Sequence, residues 1–73
     1  MTRDDLLAQV ATDLDRLMCA RSLTQDGLAV SSGVCRVTVN QILKTVREPR
    51  VGTLHRMARA MGYRVEVRFI PDP

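Results

Sequence analysis

Histidine, cysteine and aromatic side chains are all scarce in this chain, and it has no long apolar run. One histidine, His55, and two cysteines, Cys19 and Cys35, without CxxC spacing, fall short of a zinc ligand set. The same two thiols make no disulfide framework and, in a reducing compartment, are expected to stay free. No apolar stretch approaches the roughly 18 residues that a membrane span needs. The N-terminal MTRDDLL places acids where a secretory signal carries a basic region and then an apolar run. A cytoplasmic location is therefore expected, with no membrane partner, no metal and no cofactor. Catalysis has little support either: there is no G-x-S-x-G elbow, no phosphate loop and no suggestive Cys–His spacing. Asp13 and Asp15 lie two apart on a helix and face different directions. An enzyme is not expected.

What remains is short and ordinary in its apolar content. A chain of 73 residues, 45% hydrophobic, is one small globular domain rather than a disordered segment. Chains of this size bury only about 60% of their unfolded surface, which argues against a deep substrate cleft and makes oligomerisation a natural source of added stability. The net charge of +3 is modest, but it is unevenly placed. Residues 1–35 carry three arginines against five aspartates, net −2. Residues 36–64 carry Arg36, Lys44, Arg47, Arg50, Arg56, Arg59 and Arg64 against Glu48 alone, net +6. Residues 65–73 return to −1. So concentrated a basic block points to a polyanion.

Periodicity divides the chain into four helices. Leu7, Val10, Leu14 and Leu17, flanked by Leu6, Ala11 and Met18, recur at three- and four-residue steps and predict a helix over 3–21. Thr2 can cap it, and Asp4 and Asp5 suit its positive end. Thr24 is a good cap for a second helix over 25–31, although Gly27 inside it costs about 1 kcal/mol of propensity. A third helix is expected from 36 to 43 or 44, a polar loop from Thr45 to Pro49, and a fourth helix over 51–61. Leu54, Met57, Ala58 and Met61 form the buried side of that last helix, and Gly62 stands where a left-handed residue commonly ends a helix. The methionines are expected in the core.

The stretch from Gln25 to Lys44, QDGLAVSSGVCRVTVNQILK, decides the class. Ala29 is small where two helices would cross, and Gly33 supplies positive φ at the turn four residues later. Val39 and Ile42 give the second helix its inward face. With this combination the chain resembles the Cro/lambda-repressor-like, or XRE, helix-turn-helix family. The run from Pro49 to Gly62, P-x-x-x-x-L-x-x-M-A-x-A-M-G, is similar to the closing helix of the same family, so the resemblance covers residues 10–62. Two positions depart from the pattern. Gly27 replaces a long polar residue, and Cys35 takes the capping slot where the family prefers serine or threonine.

On a helix beginning near Arg36, residues 36, 37, 40, 41 and 44 share one face, opposite Val39, Ile42 and Leu43. Arginine can pair with guanine, asparagine and glutamine with adenine, and valine methyls can touch a thymine methyl. The resemblance implies that Arg36, Val37, Asn40 and Gln41 sit at base-reading positions, and that Gln25 sits at the phosphate-clamping glutamine. Lys44, Arg47 and Arg50 are expected to contact phosphates, adding affinity without sequence preference. Thr45, Thr53 and His55 can be read as contacts to the DNA backbone and at least as well as exposed polar residues, and Arg56 and Arg59 as solvated charge.

Beyond Gly62 the period changes. Tyr63, Val65, Val67 and Phe69 alternate with Arg64, Glu66 and Arg68, the pattern of a half-buried strand over 63–70. No second strand can be read elsewhere, and a lone strand leaves unpaired backbone groups. The simplest partner is the same strand of a second copy, across a twofold axis; the alternative is a tail lying on its own helices.

The expected architecture is thus all-α: a small four-helix, lambda-repressor-like helix-turn-helix domain over 1–62, a C-terminal β-strand over 63–70 paired across a homodimer, and a short tail over 71–73. The resemblance implies a sequence-specific repressor that binds double-stranded DNA at a palindromic operator, with half-sites about 34 Å apart. Small family members ending in a strand such as GYRVEVRF also resemble autoregulating antitoxins, which would add a cognate toxin as a partner. A phage-type repressor shares the reader domain, and a protein-binding module could share the fold.

Overall fold

Four helices account for all the regular structure in the computed structural model, which describes residues 1–73: α1 Arg3–Ala20, α2 Gln25–Ser32, α3 Arg36–Leu43 and α4 Val51–Ala60. The first two start where a threonine cap places them. At α1 the Thr2 hydroxyl accepts from the Asp5 N–H at 3.1 Å, and the Asp5 carboxylate accepts from the Thr2 N–H at 3.0 Å. This is a reciprocal capping box. The hydrogen bond from the Thr2 backbone holds the Asp5 carboxyl below its ordinary range. At α2 the Thr24 hydroxyl accepts from the Gly27 N–H at 3.1 Å.

The core forms where these helices meet. α2 packs on both α3 and α4, and α1 packs on α3. Leu28, Met57, Val39 and Ile42 are its most fully buried side chains, joined by Leu14, Met18, Val34 and Met61. Three of the four methionines are therefore core residues, while Met1 is exposed. Ala29 packs against the cluster from the side, as close helix approach requires. The α2–α3 corner is set by a few side chains.

That corner closes at Gly33, which ends α2 with φ 73° and donates its N–H to the Ala29 carbonyl at 3.0 Å. Ser32 locks it further. Its hydroxyl donates to the Leu28 carbonyl at 2.6 Å and accepts from the Val34 N–H at 3.2 Å. After α3 the chain turns again through Thr45, a β-branched residue with φ 59°. Gly62, φ 83°, follows α4 as expected.

The strand expected over 63–70 is not formed in the single chain. The Tyr63 N–H still donates to the Ala58 carbonyl at 2.8 Å, but residues 64–73 make no backbone–backbone hydrogen bond. The reason is simple: all other regular structure is helical, so the tail has no edge of its own chain to pair with. Nor does its apolar face lie on the helices as a unit. Val65 is half-buried, Tyr63 and Val67 are exposed, and Phe69 is 98% exposed. Tyr63 is held at one point, with the Arg21 guanidinium 5.5 Å above its ring.

Candidate nucleic-acid interface

α3 is amphipathic in the sense its sequence requires. Val39 and Ile42 are buried and Leu43 is half-buried against the core, which turns Arg36, Val37, Asn40 and Gln41 outward. Arg36 and Val37 are exposed, whereas Asn40 and Gln41 are half-buried. Lys44 follows as the C-terminal cap and is exposed. The helix has little help at its ends: Cys35 makes no side-chain capping bond. Cys35 and Cys19 are both exposed free thiols.

Four side-chain contacts organise this face. The Asn40 amide donates to Oε1 of Gln25 at 3.0 Å, joining α3 to the first residue of α2. Arg36 pairs through Nε with the Asp26 carboxylate, one residue further along α2. Arg47 folds back against α3, its Nη1 donating to Thr38 Oγ1 at 3.2 Å and to Gln41 Oε1 at 3.3 Å. Gln25, Asn40, Gln41 and Arg47 thus belong to one connected surface. Arg50, by contrast, is the N-terminal cap residue of α4 and contributes no side-chain cap.

Charge on this side is left largely uncompensated. Lys44, Arg47, Arg50, Arg56, Arg59 and Arg64 make no ion pair. Glu48, the one acid in the block, is turned to the start of α1, where its Oε2 lies 2.7 Å from Arg3 Nη2. That hydrogen-bonded pair raises the Arg3 pKa further above its already high ordinary value. Arg47, Arg50 and Arg56 share a shallow depression with Thr38 and Thr53 beside α3. Arg56, read from sequence as solvated charge, therefore lies within reach of the same surface. His55 and Thr45 are exposed, and no group of three or more acidic, histidine or cysteine side chains is placed to hold a metal.

Asp26 and Thr38 were not legible as members of this surface. Asp26 meets Arg36 across the turn and Thr38 meets Arg47 across the loop, and linear spacing does not reveal such contacts. The Tyr63, Val65, Val67 and Phe69 set stays in the tail and contributes nothing to the α3 face. No helix is long and apolar enough to cross a membrane.

Comparison with curated proteins and with solved structures finds no match. A family model described as helix-turn-helix matches residues 14–67, from the middle of α1 through all of α4 and into the tail. That span contains the Gly33 corner and the whole outward face of α3. The chain belongs to the Cro/lambda-repressor-like, or XRE, helix-turn-helix family of DNA-binding transcription regulators.

Proposed function

We propose that this protein is a sequence-specific repressor that reads an inverted-repeat operator as a homodimer. The observation that carries this reading is the outward α3 face, with Arg36 and Val37 exposed and Asn40 and Gln41 half-buried, set beside cations from Lys44 to Arg64 that make no ion pair. Arg36, Val37, Asn40 and Gln41 read base edges in the major groove, where guanine, adenine and the thymine methyl present matching groups. The Asn40–Gln25 bond leaves each amide useful. Gln25 keeps its own N–H donors for a phosphate, while Asn40 keeps its carbonyl and a second N–H for adenine. Lys44, Arg47 and Arg50 neutralise phosphates and supply salt-dependent affinity.

Dimerisation rests on the tail, residues 63–70, as a unit separate from the 1–62 reader and the 71–73 end. From Arg64 onward it makes no backbone–backbone hydrogen bond within the chain, and Val67, Phe69 and Ile70 are exposed. Two such tails joined antiparallel satisfy the backbone and cover the apolar face. Two readers related by a twofold axis then engage half-sites about 34 Å apart. The same exposed segment supports a second reading, an autoregulating antitoxin whose tail also receives a toxin.

Selection from a randomised duplex pool tests the main reading. The expected product is an enriched inverted repeat with half-site centres one helical turn apart. Binding that is salt-sensitive yet equal on all duplexes would leave only a non-specific DNA binder. A toxin partner is tested by co-purification with the product of an adjacent small gene, and no complex from co-expression removes the antitoxin reading.

A further inference from the structure

Between residues 25 and 47 the chain has one acid, Asp26, and it is paired with the first residue of the outward α3 face. A carboxylate on a surface that meets a polyanion weakens every encounter with phosphate. Both side chains are largely solvent-exposed, 64% for Arg36 and 71% for Asp26, so the pair adds little to folding stability. We propose that Asp26 is a specificity-determining positioning residue: it directs the Arg36 guanidinium toward guanine and away from phosphate.

The chemistry follows from which side of the guanidinium the carboxylate lies against. Arginine has five N–H donors, one on Nε and four on the two terminal nitrogens. The Asp26 carboxylate lies against Nε, and the terminal nitrogens make no hydrogen bond within the chain, which leaves them to address guanine O6 and N7 end-on. The two ligand classes respond differently to that arrangement. A phosphate is attracted mainly by net charge, which the carboxylate offsets. A guanine edge is recognised by two donors in a fixed fork, which the carboxylate leaves in place and restrains. Asp26 therefore lowers the background on arbitrary DNA more than it lowers binding at a site bearing guanine opposite Arg36. Its place in the first turn of α2 also suits the helix dipole, but that role stabilises α2 without affecting base preference.

This inference rests on the DNA-reading assignment of α3, and its test separates the two. Binding of the full chain to a pool-selected duplex and to a scrambled duplex of equal composition is measured by fluorescence anisotropy at several salt concentrations. The proteins are wild type, Asp26→Asn, Asp26→Glu, Arg36→Ala and the Asp26→Asn/Arg36→Ala double variant. Asp26→Asn should bind the scrambled duplex about 3–10-fold more tightly, with a salt slope steeper by about one phosphate contact. Its preference for the selected duplex should fall by a similar factor, and Asp26→Glu should retain most of the wild-type preference. With Arg36 already removed, Asp26→Asn should leave the preference nearly unchanged. Equal preference in wild type and Asp26→Asn overturns the inference while leaving DNA reading intact. An undiminished effect in the Arg36→Ala background overturns positioning in favour of bulk repulsion. A wild type that binds neither duplex defeats the DNA reading and the inference with it. In the DNA-free protein, the Arg36 Nε–H resonance should shift and exchange faster in Asp26→Asn; an unmoved resonance dismisses the pair itself.

Discussion

Asn40, in the middle of α3, donates its amide to the side-chain carbonyl of Gln25, the first residue of α2, at 3.0 Å. One hydrogen bond thus links the residue proposed to read adenine with the residue proposed to hold a phosphate. Both are half-buried, so the bond is partly shielded from water and fixes each amide before DNA arrives. Asn40→Ala should cost about 1–3 kcal/mol at the selected site and relax preference at one base pair. Gln25→Ala should weaken selected and scrambled duplexes alike. Because the residues touch, the double variant should depart from additivity by about 0.5 kcal/mol or more. Strict additivity in a double-mutant cycle would show that the bond does not matter to binding.

The two glycines of the α2 region should respond in opposite directions. At Gly33, φ is 73°, and an alanine there carries the left-handed penalty of about 1–2 kcal/mol although no atom lies within 4 Å of an added Cβ. At Gly27 the backbone is helical, and an added Cβ would meet Leu23 Cδ2 and Thr24 Oγ1 at 3.4 Å. Gly27→Ala should therefore raise stability by up to about 1 kcal/mol. Urea denaturation of both variants checks the pair, and a destabilised Gly27→Ala would mean that the contact with Thr24 disturbs the cap.

The four helices and the α3 face were legible because their signals are local. Capping at Thr2 and Thr24, the apolar spacing of Val39 and Ile42, and the φ demanded at Gly33 are all written within one or two turns of chain. The Asp26–Arg36 and Glu48–Arg3 pairs were not, because each joins residues brought together only after helices pack. The positive φ at Thr45 was not legible for a different reason: nothing in a threonine announces it, and glycine or asparagine would have marked that turn. The tail was read as a strand from alternation alone. Alternation describes what a segment can pair as, and a single copy of this chain offers it no edge.

α3 is held at neither end by good local chemistry, and both ends can be improved. Cys35 caps without a side-chain hydrogen bond, so Cys35→Ser should stabilise the protein by roughly 0.5–1 kcal/mol. Thr45 bears a left-handed φ of 59°, and Thr45→Gly should gain about 1 kcal/mol by relieving it. Thermal denaturation of the single and double variants reads both effects. The sites lie at opposite ends of the helix, so the gains should add. No gain from Cys35→Ser would indicate that a hydroxyl there cannot reach the N–H groups of the first turn.

Acid should loosen the start of α1 through Asp5. Its carboxyl is held below the ordinary value by the Thr2 backbone hydrogen bond, so the folded pKa is depressed. A depressed pKa means the stabilisation is complete above the unfolded carboxylate range, about 3.9, and is lost as pH falls through the lower folded value. Asp5→Asn should lower the melting temperature at neutral pH and flatten its decline on the acid side. Parallel acid profiles for wild type and variant would show that the capping box does not contribute to stability.

Removing the tail separates its role from that of the helical core. Every side chain of the buried cluster lies at or before Met61, and beyond Tyr63 the tail makes no backbone–backbone hydrogen bond. A chain ending at Gly62 should therefore keep its helical signal and a cooperative melt, losing the Tyr63 N–H bond to the Ala58 carbonyl, the Tyr63 contact with Arg21 and the partial cover given by Val65. Its sedimentation should be that of a monomer. Each half-site would then be bound independently, so affinity for the inverted repeat should fall much further than affinity for a single half-site, because joined readers gain about 10²–10⁴ in avidity. A truncated protein that still sediments as a dimer would place the twofold contact on the helices, and one that fails to melt cooperatively would make the tail part of the fold.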